Sequence, residues 1–181
     1  MQTDIKLEKA TLGNGCFWCT EAIFQQLRGV ASVVSGYSGG QDPSPNYKTV
    51  CSGSTGHAEC LEITYDPAVI SFPELLEVFF TTHDPTSLNR QGEDIGTQYR
   101  SVIFYHTDEQ LEISKAYIKQ LNESGKFAKS IVTTLEPYSI FHPAEDYHQN
   151  YFNLNGHNPY CRLVVKPKVE KFVKQYNEKL K

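Results

Sequence analysis

Five cysteines stand in the 181 residues, at positions 16, 19, 51, 60 and 161, and the first is placed as a reagent. Gly13-Asn14-Gly15 precedes Cys16. Apolar residues at helical spacing follow it, namely Phe17, Ala22, Ile23, Phe24 and Leu27, up to a stop at Gly29. A thiol at such a strand-to-helix turn lies among unpaired backbone N–H groups at the positive end of the macrodipole, which favours the thiolate and lowers its pKa. The glycines let the backbone approach a ligand closely, and Phe17 and Trp18 set two flat apolar groups beside the sulfur. A nucleophile beside an aromatic pocket suits a small apolar substituent, such as a methyl group, on an otherwise polar substrate. The alternative is a small core cysteine among ordinary core aromatics. The Gly-x-Gly lead-in and the neighbouring Cys19 weigh against it. Cys16-x-x-Cys19 at a helix start is the geometry of a dithiol redox pair and also half of a zinc site. Cys51 and Cys60 are poorly spaced for the other half, so no metal is expected.

Glu59 is the second anomaly. A period of two puts His57, Glu59, Leu61, Ile63 and Tyr65 on one strand face, with Ala58, Cys60, Glu62 and Thr64 on the other. The first set carries the larger apolar residues and is read as buried. A carboxylate among them is either paired with a cation or raised in pKa by desolvation. An acid that stays protonated near neutral pH is what a reaction needs if an oxygen must leave as water. Tyr37 and Tyr99 fall at the end of one strand and the start of another, where phenols could donate hydrogen bonds to a polar substrate atom. Asp94, in Gly92-Glu93-Asp94-Ile95-Gly96, could orient them or simply make a turn.

The elements that must hold these groups are legible in outline. Strands are predicted over 5–12, 30–37, 57–65, 99–105 and 131–135. A helix follows the capping signature Ser71-x-x-Glu74 to about 82, and a longer one runs from Thr107 to Gly125. A short helix or turn is predicted over 144–153 and a closing helix over 168–180, after Pro167. Residues 38–49 and 83–97 read as loops, the second long enough to suggest a function. Strands and helices mix without a strict βαβα rhythm, which points to an α+β two-layer sandwich. One catalytic domain over 1–181 is expected, its core spanning about 5–165.

Composition narrows the function class. Seventeen Lys and Arg against 21 Asp and Glu give a formal charge of −4 with the signs interspersed. That removes the electrostatic case for a nucleic-acid or anionic-membrane partner. No apolar run approaches the ~20 residues of a membrane span, and the first residues are unlike a signal peptide. The odd, unevenly spaced cysteines argue against structural disulfides, so a cytoplasmic protein with reduced thiols is expected.

With Gly-Asn-Gly-Cys16-Phe17-Trp18 in hand, the chain resembles the A class of methionine sulfoxide reductases, the peptide-methionine (S)-S-oxide reductases. The similarity continues through Gly36-Tyr37-Ser-Gly-Gly40, Tyr47, Val50-Cys-Ser-Gly-Ser-Thr-Gly-His57-Ala-Glu59, Tyr65-Asp66-Pro67 and His83-Asp84-Pro85. It extends through Arg90-Gln91-Gly92-x-Asp94-x-Gly96-Thr97-Gln98-Tyr99-Arg100-Ser101 and Ala144-Glu145-Asp146-Tyr147-His148-Gln149. The resemblance implies that Cys16 attacks the sulfoxide sulfur and becomes a sulfenic acid. Phe17 and Trp18 then receive the methyl group, Glu59 protonates the oxygen, Tyr37 and Tyr99 hold it, and Asp94 supports the site. It implies a two-layer fold with a ferredoxin-like core, no bound cofactor, and reduction by an external dithiol such as thioredoxin. A monomer is expected. Cys161, in Asn158-Pro159-Tyr160-Cys161, is favoured as the resolving thiol, although the following Arg-Leu-Val-Val reads as an ordered, strand-like stretch. Cys19, three residues along a helix from Cys16, is the rival. Cys51 and Cys60 are read as bystanders. A thioredoxin-like disulfide oxidoreductase built on Cys16-x-x-Cys19 is the alternative; its bulky Phe-Trp insert and the lack of an evident strand-helix-strand frame count against it.

Overall fold

The computed structural model describes residues 4–181. In chain order its larger elements are β1 (Glu8–Asn14), α1 (Phe17–Phe24), β2 (Val30–Ser38), α2 (Tyr47–Cys51), β3 (Ala58–Tyr65) and α3 (Phe72–Thr81). A two-stranded hairpin, β4 (Arg90–Gln91) and β5 (Asp94–Ile95), comes next. It is followed by β6 (Ser101–Tyr105), α4 (Asp108–Ser124), β7 (Thr134–Pro137), β8 (Phe141–Pro143), α5 (Tyr151–Leu154) and α6 (Lys166–Gln175).

Six strands form one sheet in the order β7-β6-β1-β3-β2-β8, so β1 and β3 lie at its centre. They pair antiparallel, Leu12 opposite Leu61, and β3 pairs antiparallel with β2, Glu59 opposite Tyr37. The alternation on β3 is realised: Leu61, Ile63 and Tyr65 are buried in the main core with Phe17, Ile23 and Phe24 of α1 and Leu75, Leu76, Phe79 and Phe80 of α3. The opposite face is covered as well, since Ala58 and Cys60 pack with Val102 and Phe104 beneath Tyr138 and Phe141.

Local rules account for most boundaries. Ser71 and Glu74 form the reciprocal cap of α3, Thr107 caps α4, and Gly125 ends α4 in the left-handed conformation. Other expectations are corrected. The first strand begins at Glu8, because Ile5 and Leu7 have no sheet neighbour and stay exposed. It runs on through Gly13, where a Cβ would stand 2.8 Å from the Glu59 carbonyl; glycine is there so that two central strands can meet. Gly15 turns the chain at φ +109. The two glycines thus serve strand approach and the turn, not approach to a ligand. The supposed loop at 38–49 contains the start of α2, capped by Asn46 and Thr49, and the one at 83–97 contains the β4–β5 hairpin. Tyr99 lies in a 3-10 turn before β6, not on the strand. The last strand of the sheet prediction starts later, at Thr134, and pairs parallel to β6.

The segment after Cys161 is not strand-like. Cys161–Val165 is one wide π-helical turn running into α6. Pro167 lacks the N–H that an ordinary helix would send back to residue 163, and its ring crowds that carbonyl, so the register widens before it. No helix among the described residues is long and apolar enough to cross a membrane.

Candidate active site

Cys16 leaves the end of β1 as the N-cap residue of α1, with extended backbone and no side-chain cap of its own. The orphan N–H groups of the helix are satisfied by the chemistry around it. The Phe17 N–H donates to Glu59 Oε2 at 3.1 Å, and the Trp18 N–H engages the Cys16 sulfur. Glu59 reaches this point because it opens β3 beside the end of β1, on the face that carries α1. It is 1% exposed. Burial above all, then the nearness of Cys16, holds its carboxyl well above the usual carboxylate range, against the opposing Phe17 N–H; Asp94 adds to the rise. No cation pairs with it among the described residues. Glu59 is therefore the desolvated acid of the two possibilities left open by its strand pattern.

The Cys16 thiol departs from the helix-terminus expectation. Its pKa is pushed up, first because it is hydrogen-bonded to Cys19, then by burial. The same bond lowers Cys19. The Trp18 N–H and the Tyr160 hydroxyl act in the expected sense on Cys16 but are outweighed by Cys19 and burial. All five cysteines are free thiols. Cys161 is fully buried, packed with Cys19, Ala22 and Val165 behind the Cys16–Cys19 pair. Burial raises its pKa.

The phenols are distributed differently from the sequence reading. Tyr37 is buried and its hydroxyl donates to Glu145 Oε1 at 3.1 Å, so its proton is committed away from Cys16. Tyr47 faces the site instead. One helical turn separates it from Cys51, whose thiol pKa is raised first by burial, against the opposing hydroxyls of Tyr47 and Tyr99. Burial first, with the charges of Glu59 and Cys51 behind it, keeps both phenols protonated and hence donors. Cys51 is thus a wall of the site rather than a residue in a remote turn, whereas Cys60 is core on the opposite face. Asp94, on β5 of the hairpin, accepts from the Tyr160 hydroxyl at 2.8 Å.

The aromatic pair is locked from behind. Phe17 is 1% exposed and sits 5.8 Å from the Tyr37 ring and 5.2 Å from His148. Trp18 stacks on Tyr151 at 3.9 Å and donates through Nε1 to His148 Nδ1 at 3.0 Å. Burial lowers the His148 pKa and keeps it a neutral acceptor at Nδ1. Glu145 gathers Tyr37, the Tyr47 N–H and Tyr147. Tyr47, Glu145 and His148 stand in the motifs of the family resemblance without a role assigned there, and the Asn46-x-x-Thr49 cap that starts α2 is a further local signal for Tyr47. Tyr160 has none beyond its neighbours in the chain. Among the described residues no group of three or more His, Cys, Asp or Glu could hold a metal ion.

The family described as Peptide methionine sulfoxide reductase matches residues 8–181. The peptide methionine sulfoxide reductase MsrA of Saccharolobus solfataricus is 52% identical over 175 residues, 97% of this chain and 98% of that protein. The crystal structure of Mxr1 from Saccharomyces cerevisiae in reduced form superposes with a TM-score of 0.74 at 36% identity, covering 89% of this chain and 92% of that one. Mxr1 in complex with Trx2 gives 0.51 at 27% identity, over 83% and 88%. With a thiol, a desolvated acid and paired phenols at the end of the central strand, and with the family match spanning nearly every residue, the chain belongs to the peptide methionine sulfoxide reductase family.

Proposed function

We propose that the protein reduces the S epimer of methionine sulfoxide, free or in proteins, through Cys16 and Glu59. The observation that carries this is the bond from Phe17 N–H to the desolvated Glu59 carboxyl, which ties the acid to the residue next to the thiol. As the Cys16 sulfur attacks the sulfoxide sulfur, Glu59 delivers its proton to the oxygen, with Tyr47 and Tyr99 as donors that hold that oxygen and Asp94 as the supporting acid. The Cys16 thiol proton adds to the same oxygen, which leaves as water when the S–O bond breaks. A water then attacks the Cys16 sulfur, the bond between the two sulfurs breaks, and methionine leaves with the electron pair. Cys16 is left as a sulfenic acid, with a proton returned to Glu59. Two electrons have passed from the thiol to the sulfoxide. Trp18, fixed by His148 and Tyr151, offers the wall for the methyl group with Phe17 beneath it. No bound cofactor enters these steps.

We favour Cys19 as the resolving thiol in place of Cys161, because the two thiols shift each other's pKa in opposite directions and residues three apart at a helix start share one face. Its attack on the sulfenic sulfur forms the Cys16–Cys19 disulfide and releases the hydroxyl as water. A thioredoxin-like dithiol then supplies two electrons; the complex of yeast Mxr1 with Trx2 supports that partner class. With thioredoxin as reductant, Cys19→Ser is expected to stop after about one turnover while Cys161→Ser continues. The opposite pattern would return the role to Cys161.

The β1-α1-β2-β3-α3-β6 path with sheet order β6-β1-β3-β2, all antiparallel, supports a ferredoxin-like core within a single catalytic unit. Five free thiols suit a reducing compartment such as the cytoplasm, and we read the working form as a monomer. The activity test is a racemic methionine sulfoxide derivative with dithiothreitol, followed by chiral chromatography. Only the S-at-sulfur epimer should disappear, and consumption of both epimers or of neither would refute the assignment.

A further inference from the structure

One residue at the site has no part in the chemistry proposed so far. Tyr160 projects from the segment 155–160, which is folded onto itself by Asn158 through bonds from the Tyr160 N–H at 2.9 Å and the Arg162 N–H at 3.0 Å. Its ring stands edge-on to Trp18 at 5.8 Å, and its hydroxyl donates to Asp94 Oδ2 at 2.8 Å. That hydroxyl also acts on the Cys16 thiol in the sense that favours the thiolate. Tyr151 stacks on Trp18, Tyr47 lies roughly parallel to it at 6.3 Å and the indole N–H is spent on His148, so Tyr160 completes the set of groups around the indole.

An apolar group against Trp18 is also the contact that the methyl group of a bound methionine sulfoxide would make, while the Tyr160 hydroxyl is held by Asp94, apart from the Glu59, Tyr47 and Tyr99 groups that take the sulfoxide oxygen. We propose that Tyr160 is a latch that fills the methyl end of the substrate's place in the resting dithiol, so that sulfoxide binds only to the fraction of molecules in which the Tyr160–Asp94 bond is broken. Tyr160 is then a positioning residue that sets the apparent affinity and shields the thiol between turnovers. When the binding-competent state is a fraction of the whole, apparent Kd is raised by the inverse of that fraction. A hydroxyl-to-carboxylate bond is of the charge-assisted kind, and losing one shifts such an equilibrium about tenfold.

The proposal rests on Cys16 and Asp94 standing in the reactive site as argued above, and the test separates the two. Tyr160→Phe keeps the ring and removes only the hydroxyl; Tyr160→Leu removes the edge-on contact as well. Two quantities are read on each: the rate of Cys16 labelling by iodoacetamide, located by mass spectrometry, and the sulfoxide concentration that half-saturates a single turnover without reductant. Because the hydroxyl also favours the Cys16 thiolate, labelling is compared at matched thiolate fraction taken from its pH profile. So compared, it should rise about 5- to 20-fold in Tyr160→Phe, half-saturation should fall by a similar factor, and Tyr160→Leu should exceed both. Labelling left at the wild-type rate, or half-saturation unchanged or raised, overturns the latch. Labelling needs no sulfoxide, so a protein that turned over no substrate would sink the functional assignment while still testing Tyr160.

Discussion

Cys16→Ser is expected to lose sulfoxide reduction by more than about 10⁴-fold, with no sulfenic acid trapped by dimedone, while folding to the same circular dichroism spectrum and melting temperature within about 1 °C. The reason is specific to this site. Attack requires a nucleophilic, polarisable sulfur that can take up an oxygen as a sulfenic acid and then be attacked by a second thiol, and a serine hydroxyl at the same N-cap can do neither. Serine is a good N-cap residue, so the substitution leaves the helix start sound. Activity within tenfold of wild type would mean that Cys19, whose pKa the Cys16 bond lowers, is the attacking thiol.

Glu59→Gln is expected to slow the first sulfenic acid-forming step by roughly 10²- to 10⁴-fold. Glutamine can still accept the Phe17 N–H bond, so the loss isolates the proton. The pH profiles discriminate further. Burial raises the Glu59 pKa, so the protonated, active form is lost as the pH climbs through that raised value, and the wild-type rate falls on its alkaline side. The variant should lack that limb. Stability carries the same sign. A carboxyl whose folded pKa lies above its unfolded value binds more protons when folded, so the fold loses stability as pH rises above the unfolded value of ~4.3 until the folded value is passed. Glu59→Gln should therefore be more stable than wild type at pH 8, with the gap closing towards pH 4, by chemical denaturation. A variant less stable at pH 8, or one whose alkaline limb persists, would place the proton on another group.

Much of the site was readable because it follows local rules. Cys16 at a glycine-led helix start, the burial of Glu59 by period two, and the caps at Ser71 and Thr107 need only neighbours within a turn or a strand. The structure departs from the local pattern where a distant partner decides. Tyr37 falls at the end of β2 as expected, and Glu145, more than a hundred residues on, takes its hydroxyl. Tyr47 lies in a segment rich in Gly and Pro that reads as a loop, although its Asn46 cap is local. A helix terminus is a local feature that lowers a thiol, while the influence of Cys19 that outweighs it on Cys16 depends on side-chain direction. Pro167 marks a helix nearby, but the wide turn over the five residues before it depends on the carbonyl that its ring crowds.

What the sequence alone determined is the chemistry available: a thiol at a helix start, a carboxylate on a buried strand face, aromatics beside them, and a chain order that fits a mixed α/β fold. Only the tertiary structure decided which groups meet. The antiparallel register of β1 against β3 brings Glu59 to the Phe17 N–H. The β4–β5 hairpin carries Asp94 to Tyr160, and the π-turn before Pro167 buries Cys161 against Cys19. Periodicity reports which face a residue occupies, since that is a property of consecutive dihedrals. A hydrogen bond between residues a hundred positions apart depends on how whole elements pack, and no local pattern encodes its partner.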